Sequence, residues 1–155
     1  MAMELEKEIR QNVKFQSEYQ KLSVNILYSA SWLDILISRK LKPYGLTIQQ
    51  FNVLRILRGQ LPEPATINTL IDRMIDKSSN ASRLVDRLQQ KELVDRCSNT
   101  VDKRSVHVKI TEKGLELLKV IDNVASSFEE VLHHLPEKEA KELNRLLDKM
   151  RGGEK

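Results

Sequence analysis

The sequence predicts a mainly helical protein with one short β-hairpin, and three observations carry that reading. Leu, Lys, Glu, Arg and Gln are abundant while the 155 residues include only five Gly and four Pro, a composition that favours helix over sandwiches, barrels and Gly-rich nucleotide folds. Apolar residues recur at three- and four-residue steps along most of the chain, the spacing of one helical face. Only Val106, Val108 and Ile110, alternating with His107 and Lys109, show a period of two. The length and an apolar content of 40% suit a single domain over residues 1–155 with its own core.

Over residues 4–41, Leu5, Ile9 and Val13, then Ile26, Ala30, Leu33, Ile37 and Leu41, mark one long helix or two joined ones. Pro43 and Gly45 stop it. Thr47 and Gln50 form a capping-box pattern ahead of a helix carrying Phe51, Leu54 and Leu57. Pro62 and Pro64 punctuate a loop, and Thr66 caps a third helix with Ile67, Leu70, Ile71 and Met74 on its buried side. After a turn at 75–78, the next helix turns Ala81, Leu84, Val85 and Leu88 inward. Two short helices joined by a tight turn read as a helix-turn-helix. The turn has no glycine, so Asp76 or Ser78 is expected to cap the second helix through a side-chain oxygen.

Residues 94–98 supply a partner for the strand at 106–110 across a polar connection, giving a two-stranded β-wing. Thr111 caps a long helix with Leu115, Leu118, Ile121, Val124, Ala125, Phe128, Val131 and Leu132 along one side. A last helix from Glu137 to about Arg151 carries Ala140, Leu143, Leu146, Leu147 and Met150. The stripe from Leu115 to Leu132 is longer than a small winged unit needs for its own core, and such a stripe usually finds a partner; packed with the N-terminal helix and residues 140–150 it could make a two-fold interface.

Several function classes are disfavoured. The single cysteine, Cys97, leaves no intrachain disulfide and no Cys-based zinc site, and it suits a reducing compartment. In a wing strand Cys97 is expected to be inert. The first ten residues alternate Glu and Lys without the apolar core of a signal peptide. The most apolar stretch, 26–41, is broken by Ser29, Ser31, Asp34, Ser38, Arg39 and Lys40, so no membrane span is expected. The protein is placed in the cytoplasm. His107 stands alone in a strand, and the adjacent His133 and His134 diverge by about 100° on a helix, so no metal site is expected. No phosphate-binding Gly loop, Gly-x-Ser-x-Gly or His-Glu-x-x-His occurs, so neither an enzyme nor a bound cofactor is predicted.

Charge distribution points elsewhere. The formal net charge is only +4. Residues 77–109 hold eight basic residues against four acidic ones, and the rest of the chain balances. The whole excess therefore falls on the second helix of the helix-turn-helix and the wing, the electrostatic footprint of nucleic-acid binding.

The run Ser82-Arg83-Leu84-Val85-Asp86-Arg87-Leu88 before Leu93-Val94, then Asp102-Lys103-Arg104 before Ile110-Thr111-Glu112-Lys113-Gly114, resembles the MarR family of bacterial winged-helix regulators. The resemblance spans most of the chain and departs from the family at the glycine-free turn and at Glu92, where relatives often carry glycine. It implies a winged helix-turn-helix over 46–112, flanked by dimerisation helices at 1–42 and 113–151. It further implies a homodimer acting as a transcriptional regulator, expected to be a repressor, on a pseudo-palindromic operator in double-stranded DNA. Family members often bind a small phenolic or aromatic effector between the dimer helices and the winged part, and here Tyr28, Trp32 and Tyr44 are the candidate pocket residues. The family's peroxide sensors carry their reactive cysteine in the N-terminal helix, where this chain has none.

With Ala81, Leu84, Val85 and Leu88 inward, helical geometry puts Ser79, Ser82, Arg83, Asp86, Arg87 and Gln90 outward. The recognition helix of such a unit presents its N-terminal residues to base edges. Lys77, Ser78, Ser79, Asn80, Ser82, Arg83 and Arg87 are thus the candidate DNA contacts. Asn80 and Arg83 are the best base readers, since Asn pairs bidentately with adenine and Arg with guanine. At the wing, Lys103 and Arg104 would approach the backbone, with Arg104 by resemblance in the minor groove. Asp102 would orient the wing rather than touch DNA. The alternative is a winged-helix dimer serving as a protein docking module without sequence-specific DNA binding.

Overall fold

The computed structural model describes residues 4–98 and 106–152. The chain divides into two compact units, Met1–Ile48 and Gln49–Lys155.

In the first unit, α1 (Leu5–Glu8) is followed by α2 (Glu18–Leu41) and a short 3-10 turn, Lys42–Tyr44. The apolar pattern of 4–41 thus resolves into two helices. Arg10 adopts a left-handed φ of 54° and ends the first. Ser17 starts the second, its Oγ accepting from the Gln20 amide at 3.2 Å while Gln20 Oε1 accepts from the Gln16 amide at 2.8 Å. This reciprocal arrangement satisfies N–H groups that a helix start leaves open. Val13, which the spacing put on a helical face, lies in the link and is exposed. Gly45, at φ 64°, closes the turn behind Pro43, a conformation glycine adopts without strain.

The second unit contains α3 (Ile48–Gln60, whose first residue closes the first unit), β1 (Ala65–Thr66), α4 (Ile67–Arg73), α5 (Ala81–Gln90), β2 (Val94–Ser98), β3 (Val106–Ile110), α6 (Glu112–Glu130) and α7 (Glu137–Met150). Val53, Leu54, Leu57, Leu70, Met74, Val85, Leu88, Val94, Val108, Leu118 and Ile121 are fully buried. Each such side chain stabilises the unit by about 1.5–3 kcal/mol. Thr66 caps α4 as expected, its Oγ1 accepting from the Thr69 amide at 3.0 Å. Ile71 does not join the buried side: it is 40% exposed. The helix has only seven residues and buries the line through Leu70, and Ile71 sits about 100° round from that line.

The expected two-stranded wing is part of a three-stranded antiparallel sheet in the order β1-β3-β2. Ala65 pairs with Val108 and Thr66 with His107. In the hairpin, Val94 faces Ile110 and Arg96 faces Val108, so Arg96 lies on the same face as the buried Val94, Val108 and Ile110. Asp95, Cys97, His107 and Lys109 take the other face.

The Ile-Thr-x-x-Gly segment joins this sheet to α6. Thr111 Oγ1 accepts from the Gly114 amide at 3.1 Å and donates to the Glu92 carbonyl at 2.8 Å. A Cβ on Gly114 would lie 2.4 Å from the Leu93 carbonyl oxygen and 2.7 Å from Ile110 Cγ1. Glu92 itself takes a left-handed φ of 61° after α5, the position where glycine usually ends a helix. Arg58 of α3 and Asp122 of α6 form an ion pair between those helices. By contrast, α7 buries none of its residues, and Leu143, Leu146 and Met150 are about half exposed.

Candidate nucleic-acid interface

The interface is built from the turn between α4 and α5 outward. Asp76 organises that turn in place of glycine. Its Oδ1 accepts from the Ser78 amide at 2.9 Å and from Ser78 Oγ at 2.6 Å, and its Oδ2 accepts from Ser79 Oγ at 2.7 Å. The hydroxyls of Ser78 and Ser79 and the Ser78 amide, with a smaller contribution from the Gln49 side chain, hold its carboxyl down at about 2 against the opposing effect of burial. Such an Asx-type turn shapes the backbone by side-chain acceptance rather than by a left-handed glycine.

This arrangement changes the expected assignments. Neither Asp76 nor Ser78 caps the recognition helix. The helix begins at Ala81, and the cap is Asn80, whose Oδ1 accepts from the Arg83 amide at 3.0 Å. Because Ser78 and Ser79 give their hydroxyl hydrogens to Asp76, they face a ligand as acceptors, and phosphate oxygens are acceptors too. Lys77 reaches backward, its ammonium donating to the Ile71 carbonyl at 3.1 Å and to the Asp72 carbonyl. It therefore closes the C-terminal end of α4, where a cation meets the negative end of the helix dipole.

On α5, Ala81, Val85 and Leu88 are buried and Leu84 is half-buried, while Ser82, Arg83, Asp86, Arg87 and Gln90 are exposed. Asp86 would repel phosphate were it alone. It is instead paired with Arg96 of β2, the guanidinium lying 2.5 Å from its carboxylate. Among the described residues Arg83 and Arg87 form no ion pair. The exposed face of the helix is thus left net cationic with its acid neutralised from behind. Arg96 was not among the residues singled out from sequence, because only the hairpin register brings it to the helix. Lys91 donates to the amide oxygen of the buried Gln50 at 3.3 Å, tying the end of α5 to α3. The wing residues Asp102, Lys103 and Arg104 lie outside the described residues.

Of the three aromatics proposed for an effector pocket, two come together. Tyr28 and Trp32 are one turn apart on α2 and line a groove against α1 with Glu4, Leu5, Glu8, Lys21, Asn25 and Ser29, about 550 Å³ in volume. Tyr44 lies in the 3-10 turn and is not part of it. Among the described residues no cluster of three or more His, Cys, Asp or Glu could hold a metal ion, and no helix is long and apolar enough to cross a membrane.

Comparison with known proteins adds to this geometry. The MarR family model matches residues 44–105. The HTH-type transcriptional regulator MgrA of Staphylococcus aureus is 34% identical over 113 residues, covering 70% of this chain and 72% of that protein. Among solved structures, the organohalide-sensing regulator RdhR in its 2,4-dichlorophenol-bound form superposes with a TM-score of 0.80 at 21% identity, over 93% of this chain and 88% of its own. The MepR–DNA complex of S. aureus superposes with a TM-score of 0.74 at 20% identity, over 90% and 99%.

Proposed function

This chain belongs to the MarR family of transcriptional regulators, and on that footing we propose that it is a cytoplasmic homodimer that represses transcription by holding a pseudo-palindromic operator. The observation that carries the reading is the outward face of α5, where Arg83 and Arg87 form no ion pair among the described residues and the intervening Asp86 is neutralised by Arg96. In this reading Arg83 reads a guanine edge, the Asn80 amide meets an adjacent base while its oxygen caps the helix, and Ser82 and Arg87 hold the backbone. Ser78 and Ser79 serve as acceptors toward base amino groups. Lys77 contributes positive potential from the turn. Lys103 and Arg104 form the wing's grip, with Asp102 orienting them.

Dimerisation is supported by exposed apolar side chains among the described residues: Leu143, Leu146 and Met150 on α7, and Leu22, Leu27 and Ile35 on α2. A two-fold dimer would set two recognition helices about 34 Å apart, one turn of the duplex. The Tyr28–Trp32 groove is the candidate effector site, a reading supported by the aromatic ligand, 2,4-dichlorophenol, bound to the structurally similar RdhR. The test is a gel-shift titration with the DNA upstream of the protein's own coding region, at two salt concentrations. Tighter binding than to random duplex, weakening steeply with salt, is expected. Equal affinity for both DNAs would favour a docking module instead.

A further inference from the structure

The groove between α1 and α2 has an electrostatic character that the effector reading leaves open. Its aromatic wall is Tyr28 and Trp32, 37% and 42% exposed, and Leu5 is buried at its base. Its charged lining is Glu4, Glu8 and Lys21. Lys21 is already matched, its ammonium 2.7 Å from Glu6, and that contact holds the Glu6 carboxyl below its ordinary value. Glu4 pairs with Lys7 at 3.8 Å with both side chains largely in solvent, so that pair is weak, and the Glu4 charge also acts on Lys21. Glu8 has no cationic partner among the described residues; burial, then the neighbouring Glu8 carboxylate, raises the Tyr28 phenol. The groove is therefore net negative. Aromatic faces attract cations through the ring quadrupole.

We infer that this groove binds an aromatic organic cation, whose rings lie against Trp32 and Tyr28 and whose charge is met by Glu8 and Glu4. The volume of about 550 Å³ suits a ligand of drug-like size. A phenolate or carboxylate of the same shape is repelled by the same two side chains. The inference sharpens the effector reading by naming the ligand's charge class, and rests on that reading only for the link to DNA release.

Trp32 is the sole tryptophan of the chain, so its fluorescence reports on the groove directly. The full-length protein is titrated with tetraphenylphosphonium and with tetraphenylborate, two ions of nearly equal shape and opposite charge. Saturable quenching by the cation is expected, with the anion binding at least about tenfold more weakly. Glu8→Gln should weaken the cation about tenfold and narrow the gap between the two ions, and Glu4→Gln should act in the same direction by less. Equal binding of both ions to the wild-type protein, or no saturable binding of either, overturns the inference. So does cation binding unchanged in both variants. If Glu8→Gln loses both ions together, the groove itself has been disturbed, and the wild-type preference between the ions decides. A gel shift with and without the cation separates the two readings: binding that leaves DNA affinity unchanged upholds the site and removes the effector role.

Discussion

Gly114→Ala is the substitution whose sign most sharply tests the packing of the winged unit. Inside an open helix, Gly→Ala stabilises by up to about 1 kcal/mol, since alanine has the higher helix propensity. At Gly114 the added Cβ meets the Leu93 carbonyl oxygen at 2.4 Å, where ordinary contact begins at 3.4 Å. One side must retreat by about 1 Å, the difference between those distances. That carbonyl also accepts from the Thr111 amide at 3.1 Å, so its retreat stretches a hydrogen bond worth about 0.5–1.5 kcal/mol. Ile110 Cγ1, at 2.7 Å, blocks the alternative, and overpacking of this kind adds about 1–3 kcal/mol. After subtracting the helical gain, a net loss of about 1–3 kcal/mol remains. Gly59→Ala is the internal control, because its Cβ would meet only the Arg73 side chain at 3.9 Å. Urea unfolding should show a lower midpoint for Gly114→Ala at unchanged slope, and an unchanged or higher midpoint for Gly59→Ala. A Gly114→Ala midpoint equal to or above wild type would refute the close approach.

Three other predictions follow from the same neighbourhood. Glu92→Gly relieves a left-handed φ of 61° but gives up the exposed pair with Lys113; strain relief is worth about 1–2 kcal/mol and the pair about 0–1, so a raised urea midpoint is expected, and a lowered one would place the ion pair above the strain. Asp76 has a folded value of about 2, below its ordinary 3.8, so its contribution is present above the ordinary value and is lost as pH falls through the folded one; the stability difference between wild type and Asp76→Ala should shrink between about pH 4 and pH 2, and a constant difference would show that the serine contacts do not favour the ionised form. Asn80→Ala should lower stability by about 1 kcal/mol and weaken DNA binding, whereas Asn80→Ser should restore stability without restoring base preference. Loss of stability in both variants alike would remove the capping role.

What the sequence could show followed from how local each signal is. Thr66 and Thr111 cap within three residues of themselves, so their helices were readable from residue type alone. The hairpin declared itself by alternation in 106–110. The strand β1 has two residues, too few for any period, and exists because Ala65 lands beside Val108. The cap of α5 was misplaced because Asp76, Ser78, Ser79 and Asn80 all have the chemistry to cap, and only the helix start selects among them. The same crowding hid the use of the two serine hydroxyls by Asp76. Arg96 reaches Asp86 across ten positions and a strand register, a relation that no spacing rule contains. The break after α1, in contrast, was written in the Ser17-x-x-Gln20 pattern, but the apolar stripe was the stronger signal. Within the effector triplet, Tyr28 and Trp32 met because i and i+4 share a helical face, while Tyr44 lay beyond the proline stop.

Selection from a library of randomised duplexes with wild-type protein and Arg83→Ala measures directly whether the N-terminal face of α5 reads bases. The wild type should enrich a two-fold-related sequence with half-sites about one turn apart, and Arg83→Ala should lose one strongly preferred base in each half while keeping the remainder. An identical enriched sequence from both proteins, or none from the wild type, would contradict that reading.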